Sequence, residues 1–295
     1  KFDVAVPGVF EIPQEELQSA AENLKINKRE IYDALVYSHD LALRFAKEQR
    51  KSFADFETEL EPGIFTGQKT IPVERAGCYV PAGRFPLLSS VIMTVTPAVA
   101  AGVGEVIMCT PPRVHPDDVP EASKSGAGVP GKAFVGGKPY ADEGVMAAAY
   151  ICGVNHLYAV GGSQAIGAMA YGTDSIPKVD VIVGPGNKYV ATAKKLVYGK
   201  VGIDMIAGPT EVMIIADDSA NAEWVAADLL AQAEHDVVAQ PILVTTSTAL
   251  AEKVSAEIEN QLETLTTKAT ARQSIDNFGV IIIADSLEQA AEIAN

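Results

Sequence analysis

Gly184-Pro185-Gly186-Asn187 follows an apolar run and opens a segment of helical period from Lys188 to Tyr198. Two glycines let a backbone approach a ligand closely, and a first helical turn offers N–H groups to negative charge, which suits a phosphate or pyrophosphate. A tight strand-to-helix turn with no ligand accounts for the same residues equally well. The GxGxxG fingerprint is not met, because Asn187-Lys188-Tyr189 stand where its third glycine belongs. Gly161-Gly162-Ser163-Gln164 is a second such junction. It sets Gln164 in a first helical turn, either as an ordinary helix-start residue or as a hydrogen-bonding group at the carboxyl end of a strand, where open α/β sheets bind ligands. Tyr79-Val80-Pro81-Ala82-Gly83 is a third loop, its tyrosine able to stack on a base or to pack in a core. Ala207-Gly208-Pro209-Thr210-Glu211 is a fourth, just before a strand.

Gln232 and His235 stand at i and i+3 in LLAQAEHD, on one face of a helix end. Zinc takes a histidine nitrogen readily and an amide or carboxylate oxygen less often, so the pair is half a metal site at most. A histidine favoured by the helix dipole is the alternative. His39, His115 and His156 have no spacing that suggests a triad or a metal cluster. Cys78, Cys109 and Cys152 form no CxxC and sit in apolar stretches, and read as small buried thiols of a reducing compartment.

Holding such groups in place takes a scaffold, and the periodicity supplies one. Short apolar runs at Glu105–Cys109, His156–Val160, Val179–Val183, Val212–Ala216, Pro241–Thr245 and Gly279–Ala284 predict six strands. Helical periods alternate with them at Asp142–Ile151, Ser163–Tyr171, Lys188–Tyr198, Asn221–Glu234, Thr248–Leu262 and Leu287–Asn295. That alternation means βαβ units and parallel sheets covered on both faces. Residues 14–60 are charge-rich and predict amphipathic helices that break near Asn27-Lys28, whereas the Gly- and Pro-rich run Arg113–Pro139 predicts a long loop or lid.

The chain has 295 residues and a formal net charge of −15, with a sequence pI near 4.7. Nucleic acid and anionic membrane surfaces are therefore poor partners, since phosphate neutralisation needs clustered Lys and Arg. The long stretch Val145–Thr173 has no Asp, Glu, Lys or Arg, but it is broken by Asn155, His156, Gly161-Gly162 and Gln164 and is no membrane span. Lys1-Phe2-Asp3 does not read as a secretory signal, and a cytoplasmic location is expected. An apolar face still running at Leu287, Ala290, Ala291 and Ile293 reads as a piece of a longer protein.

Taken together, GCYVPAG (77–83), VGGSQAIGAMAYGT (160–173), VIVGPGNKYVATAK (181–194), GIDMIAGPTEV (202–212) and DLLAQAEHD (228–236) resemble the histidinol dehydrogenase family, in that family's order. The similarity runs from about Thr66 to Asn295 and more loosely before it. The resemblance implies an α/β fold of two Rossmann-like domains with mostly parallel sheets, one inserted in the other, plus N-terminal helices. Residues 1–78 and 212–295 would make the first, discontinuous domain, and 79–211 the inserted one. It also implies a homodimer with a zinc ion at each active site, and oxidation of L-histidinol to L-histidine through a bound aldehyde, with two NAD+. By motif, Tyr79, Gln164 and Asn187 match NAD contacts. Thr210 matches a substrate-contacting serine, keeping the hydroxyl and adding a methyl. Gln232 and His235 match two zinc ligands that also border the alcohol substrate.

Two departures from the family pattern stand out. Arg113–Pro139 is longer than usual. The family's adjacent Glu-His pair, its source of base and water activation, would begin a few residues after Asn295, with an aspartate and a histidine of the zinc site further on. A polypeptide ending at Asn295 is therefore expected to bind zinc weakly and to turn over no alcohol, and no residue present is assigned as catalytic. The same motifs would serve a relative acting on another small alcohol, such as a sulfopropanediol, or a non-catalytic nucleotide-binding module.

Overall fold

The computed structural model describes residues 5–82, 86–118, 134–206 and 211–295. They fall into two compact units, Lys1–Ile206 and Ala207–Asn295. In chain order the first unit contains β1 (Ala5–Val6), β2 (Glu11–Ile12), α1 (Gln14–Asn27), α2 (Arg29–Arg50), β3 (Phe56–Glu61), β4 (Ile64–Gln68), β5 (Arg75–Tyr79), α3 (Leu88–Ala101), β6 (Glu105–Thr110), β7 (Phe134–Val135), α4 (Glu143–Cys152), β8 (His156–Ala159), α5 (Gly162–Tyr171), β9 (Val181–Val183), α6 (Lys188–Val197) and β10 (Gly202–Ile203). Six strands form one sheet in the order β10-β9-β5-β6-β8-β2, parallel throughout except for β2, which runs antiparallel to β8.

Successive strand residues point to opposite faces, and both faces are apolar here, as a parallel sheet covered on both sides requires. Cys78, Val80, Val106, Met108 and Leu157 face one core with residues of α1 to α4. Tyr79, Ile107, Cys109, Tyr158 and Ile182 face the other, with residues of α5 and α6. On the first side α1 packs on α4 and α2 on α3, which adds an outer layer of helices. The expected break at Asn27-Lys28 falls between α1 and α2, where Lys28 leaves helical geometry.

The second unit contains β11 (Glu211–Ala216), α7 (Ala222–Ala233), β12 (Gln240–Thr245), α8 (Thr248–Leu262), α9 (Lys268–Phe278), β13 (Val280–Ile283) and α10 (Leu287–Ala294). Its three strands are parallel in the order β11-β12-β13. Val212, Ile214 and Leu243 pack with α7, α8 and α9. Met213, Ile242 and Val244 pack on the opposite side with Ala290 of α10.

The α/β architecture with parallel sheets is the one the alternation predicts. The expected grouping of 1–78 with 212–295 is a different division from the one these units make. β2 pairs with β8, and β5 with both β6 and β9, so sheet hydrogen bonds tie the first 79 residues to those that follow. Within the expected long loop Arg113–Pro139, β7 pairs with β1, and the Arg113 N–H donates to the Tyr140 carbonyl at 2.8 Å, closing the segment at its base. Residues 119–133 of that segment lie outside the described residues. Among the described residues no helix is long and apolar enough to cross a membrane.

All three cysteines are buried and unpaired by disulfides, as expected. Burial pushes the Cys78 thiol up to about 12 and Cys152 to about 11, and raises Cys109 further.

Candidate functional site

In the first unit the chain steps from β5 to β6 to β8 in one direction, then returns through α5 to β9 on the far side of β5. At such a reversal the loops leaving neighbouring strands diverge, and a crevice opens at their carboxyl ends. Three of the four glycine-bearing loops are drawn to this place: 79–82 after β5, 161–164 after β8 and 184–187 after β9.

Tyr79 joins them. It is buried in the core shared with Ile107, Tyr158 and Ile166. Its hydroxyl accepts the N–H of Gly162, the first residue of α5, at 3.0 Å. Core packing is thus the role its ring takes. On the other side Gly184, at φ +119°, presses against the strand that carries Tyr79: a Cβ there would lie 2.1 Å from the Tyr79 carbonyl oxygen. No residue other than glycine fits that approach.

The two helix starts differ in a way the sequence leaves open. Asn187 caps α6 with its own side chain, Oδ1 accepting from Tyr189 N–H at 3.0 Å and Val190 N–H at 3.2 Å. The N-cap residue of α5 is Gly161, which has no side chain to cap with, and among the described residues the Tyr79 hydroxyl takes one first-turn N–H, that of Gly162. The first turn of α5 therefore keeps N–H groups available to negative charge, and Gln164 stands exposed on that turn. The 184–187 loop, where an anion is expected, is thus largely self-satisfied, whereas the 161–164 junction, where Gln164 is expected to hydrogen-bond a ligand, is the more open helix start.

Two charged residues not singled out from sequence support the 184–187 loop from behind. Lys194 of α6 is buried and ion-paired with Asp204, which follows β10. The signal was present in the helix period, since Lys194 lies between Val190 and Val197 on the buried face of α6. Arg113 braces a different loop, the one after β5, its guanidinium donating to the Ala82 carbonyl at 2.8 Å. The histidines with no expected chemistry stay apart from these loops. His39 meets Thr96 at 3.1 Å, and His156 bridges Glu11 at 2.6 Å and Glu105 at 3.3 Å.

Gln232 and His235 belong to the second unit. Gln232 sits half-buried in the last turn of α7, and His235 is exposed just beyond it, its N–H donating to the Gln232 carbonyl at 3.2 Å. Between them in sequence, Glu234 accepts the Thr267 hydroxyl at 2.6 Å, which anchors this turn to the start of α9. Among the described residues no group of three His, Cys, Asp or Glu could hold a metal ion. Four-coordinate zinc would find two donors in Gln232 and His235, so among the described residues these two make half of a zinc site. Thr210 lies outside the described residues.

A family model described as histidinol dehydrogenase matches residues 1–295. Histidinol dehydrogenase of Aquifex aeolicus is 45% identical over 302 residues, covering 100% of this chain and 62% of the relative. That of Streptococcus mutans is 46% identical over 295 residues, with the same two coverages. The crystal structure of histidinol dehydrogenase from Elizabethkingia anophelis superposes with a TM-score of 0.85 at 33% identity, covering 100% of this chain and 61% of that one. The chain thus spans about 62% of the length of these curated relatives.

Proposed function

This chain belongs to the histidinol dehydrogenase family, and from that premise we propose that it carries the NAD-binding and part of the substrate-binding apparatus of an oxidoreductase. The proposed reaction oxidises L-histidinol to L-histidine through the aldehyde, in a cytoplasmic homodimer. The observation that carries the reading is the meeting of the Tyr79, Gln164 and Asn187 loops at the strand-order reversal, with the α5 N-terminus open.

NAD+, when bound, would accept hydride from the alcohol carbon and then from the hydrated aldehyde. The chain's own residues would bind and orient. Tyr79 holds the Gly162 N–H, so α5 presents its remaining first-turn N–H groups to the pyrophosphate. Gln164 offers its amide from the same turn. The cap occupies Oδ1 of Asn187, leaving the Nδ2–H groups to donate to the dinucleotide. Gln232, His235 and Thr210 are proposed to border the alcohol, with Gln232 and His235 supplying two donors toward zinc. No step is derived through that ion, and no general base is assigned.

Steady-state assay of NADH formation by the whole natural protein with L-histidinol, beside an anionic diol such as sulfopropanediol, tests the reading. Histidinol-dependent production of two NADH per histidine is the expected result. A large preference for the diol transfers the chemistry to another alcohol. NAD+ binding without turnover of either makes the protein a nucleotide-binding module.

A further inference from the structure

The buried ion pair of Lys194 and Asp204 has no role in the reaction as drawn. Lys194 donates to Asp204 Oδ1 and, at 3.0 Å, to the carbonyl oxygen of Gly184. Asp204 Oδ2 accepts the N–H of the same Gly184 at 2.8 Å, and Oδ1 also accepts the Met205 N–H at 2.7 Å. Both backbone groups of one glycine are therefore held by side chains from two different elements. That glycine is also the residue packed against the Tyr79 carbonyl, and Tyr79 in turn holds Gly162 at the start of α5.

Stability alone is a poor reason for this arrangement. Lys194 shares its helix face with Val190 and Val197, and exchanging a buried ion pair for apolar groups of similar volume is often neutral or favourable. What the pair supplies is direction: it fixes the orientation of the peptide groups on either side of the buried Gly184, whose N–H and C=O an apolar pair would leave unpartnered.

Resting on the dinucleotide reading above, we propose that Lys194 and Asp204 are positioning residues of the cofactor site. They set the conformation of the 184–187 loop, and through it the placement of Asn187, without touching the dinucleotide. The chain of contacts runs from the ion pair to Gly184, to Tyr79 and to Gly162, so one clamp registers both helix starts against each other.

The test compares wild type with K194M and with the double variant K194M/D204N. K194M alone strands the Asp204 carboxylate and is expected to unfold easily. The double variant removes both charges and keeps the volume, so it is expected to fold, with a melting temperature between those of K194M and wild type, because the Gly184 carbonyl loses its buried donor. In it, amide hydrogen exchange across 182–187 should quicken, and the NAD+ dissociation constant measured by titration calorimetry should rise about tenfold, the factor equivalent to roughly one net hydrogen bond. In turnover by the whole natural protein carrying the same two substitutions, KM for NAD+ should rise by a similar factor, with kcat and KM for histidinol held within about twofold. A folded double variant with unchanged exchange and unchanged NAD+ affinity overturns the proposal while leaving the dinucleotide reading intact. Failure of the wild-type protein to bind NAD+ defeats that reading, and the positioning role with it.

Discussion

Gly184→Ala should damage the protein through a single methyl group. The new Cβ would sit 2.1 Å from the Tyr79 carbonyl oxygen and 3.0 Å from its carbonyl carbon. The first distance falls short of the ~3.5–4.0 Å van der Waals optimum by roughly 1.4 Å. A flexible side chain could turn away, but the obstacle is backbone of β5, which is hydrogen-bonded to β6 on one side and β9 on the other. Overpacking of this kind costs about 1–3 kcal/mol, and a non-glycine residue at φ +119° adds about 1–3 kcal/mol of backbone strain. Taking about 4 kcal/mol in all, at about 2–4 °C per kcal/mol for a unit of this size, the melting temperature should fall by roughly 8–16 °C. Gly199→Ala is the control, because Gly199 has φ +89° and nothing within 4 Å of its Cβ. It should show the strain cost alone, about 1–3 kcal/mol, and keep its affinity for NAD+. Far-UV circular dichroism melts and NAD+ titration of both variants make the measurement. Equal melting temperatures for the two, with NAD+ affinity retained in Gly184→Ala, would refute the claim that this approach to β5 shapes the site.

Three further outcomes are expected. Asn187→Ala loses the α6 cap and should cost about 1 kcal/mol, whereas Asn187→Ser keeps a capping hydroxyl and restores stability but not NAD+ affinity; paired recovery of both would reduce Asn187 to a cap. Tyr79→Phe keeps the ring in its core and deprives the Gly162 N–H of its acceptor, for a loss of about 1 kcal/mol in a thermal melt together with weaker NAD+ binding. The buried thiols, raised from 9.0 to about 12 at Cys78 and about 11 at Cys152, favour the protonated form in the folded state. Their contribution to stability is complete below pH 9 and is lost as pH climbs through those raised values, so native protein at neutral pH should resist a thiol reagent until it is unfolded. Rapid labelling of the folded chain would show that these cysteines are not enclosed.

Much of the scaffold was legible because it is written locally. Apolar runs of strand length and helix periods between them point to β6, β8, β9, β11, β12 and β13 and the helices α4 to α8 and α10, with boundaries shifted by a residue or two. Asn187, Asn221 and Ser247 stand just before such helices, and each caps with its own side chain. The strand β5 carries no such local signal: it is five residues long, contains Gly77, and runs straight into the glycine-bearing loop after Tyr79. α3 was missed as well, being rich in β-branched residues with Pro97 inside it. It persists because it packs between the sheet and α2, so burial outweighs weak local propensity.

For the site, the sequence by itself determined which loops and which side chains are eligible: glycines where a backbone must come close, an amide in a first helical turn, a glutamine and histidine one turn apart. Those choices depend on spacing along the chain, and spacing is all a sequence displays. Only the tertiary structure decided that β5 lies between β6 and β9, that Tyr79 therefore turns its ring inward and its hydroxyl to Gly162, and that α6 rather than α5 is capped from within. It alone gave Lys194 its partner ten residues away in Asp204. The physical reason is common to all four. Strand order, and the pairing of a buried charge, are settled by which arrangement satisfies every backbone hydrogen bond and buried ion at once, and that condition joins residues whose separation in sequence carries no trace of it.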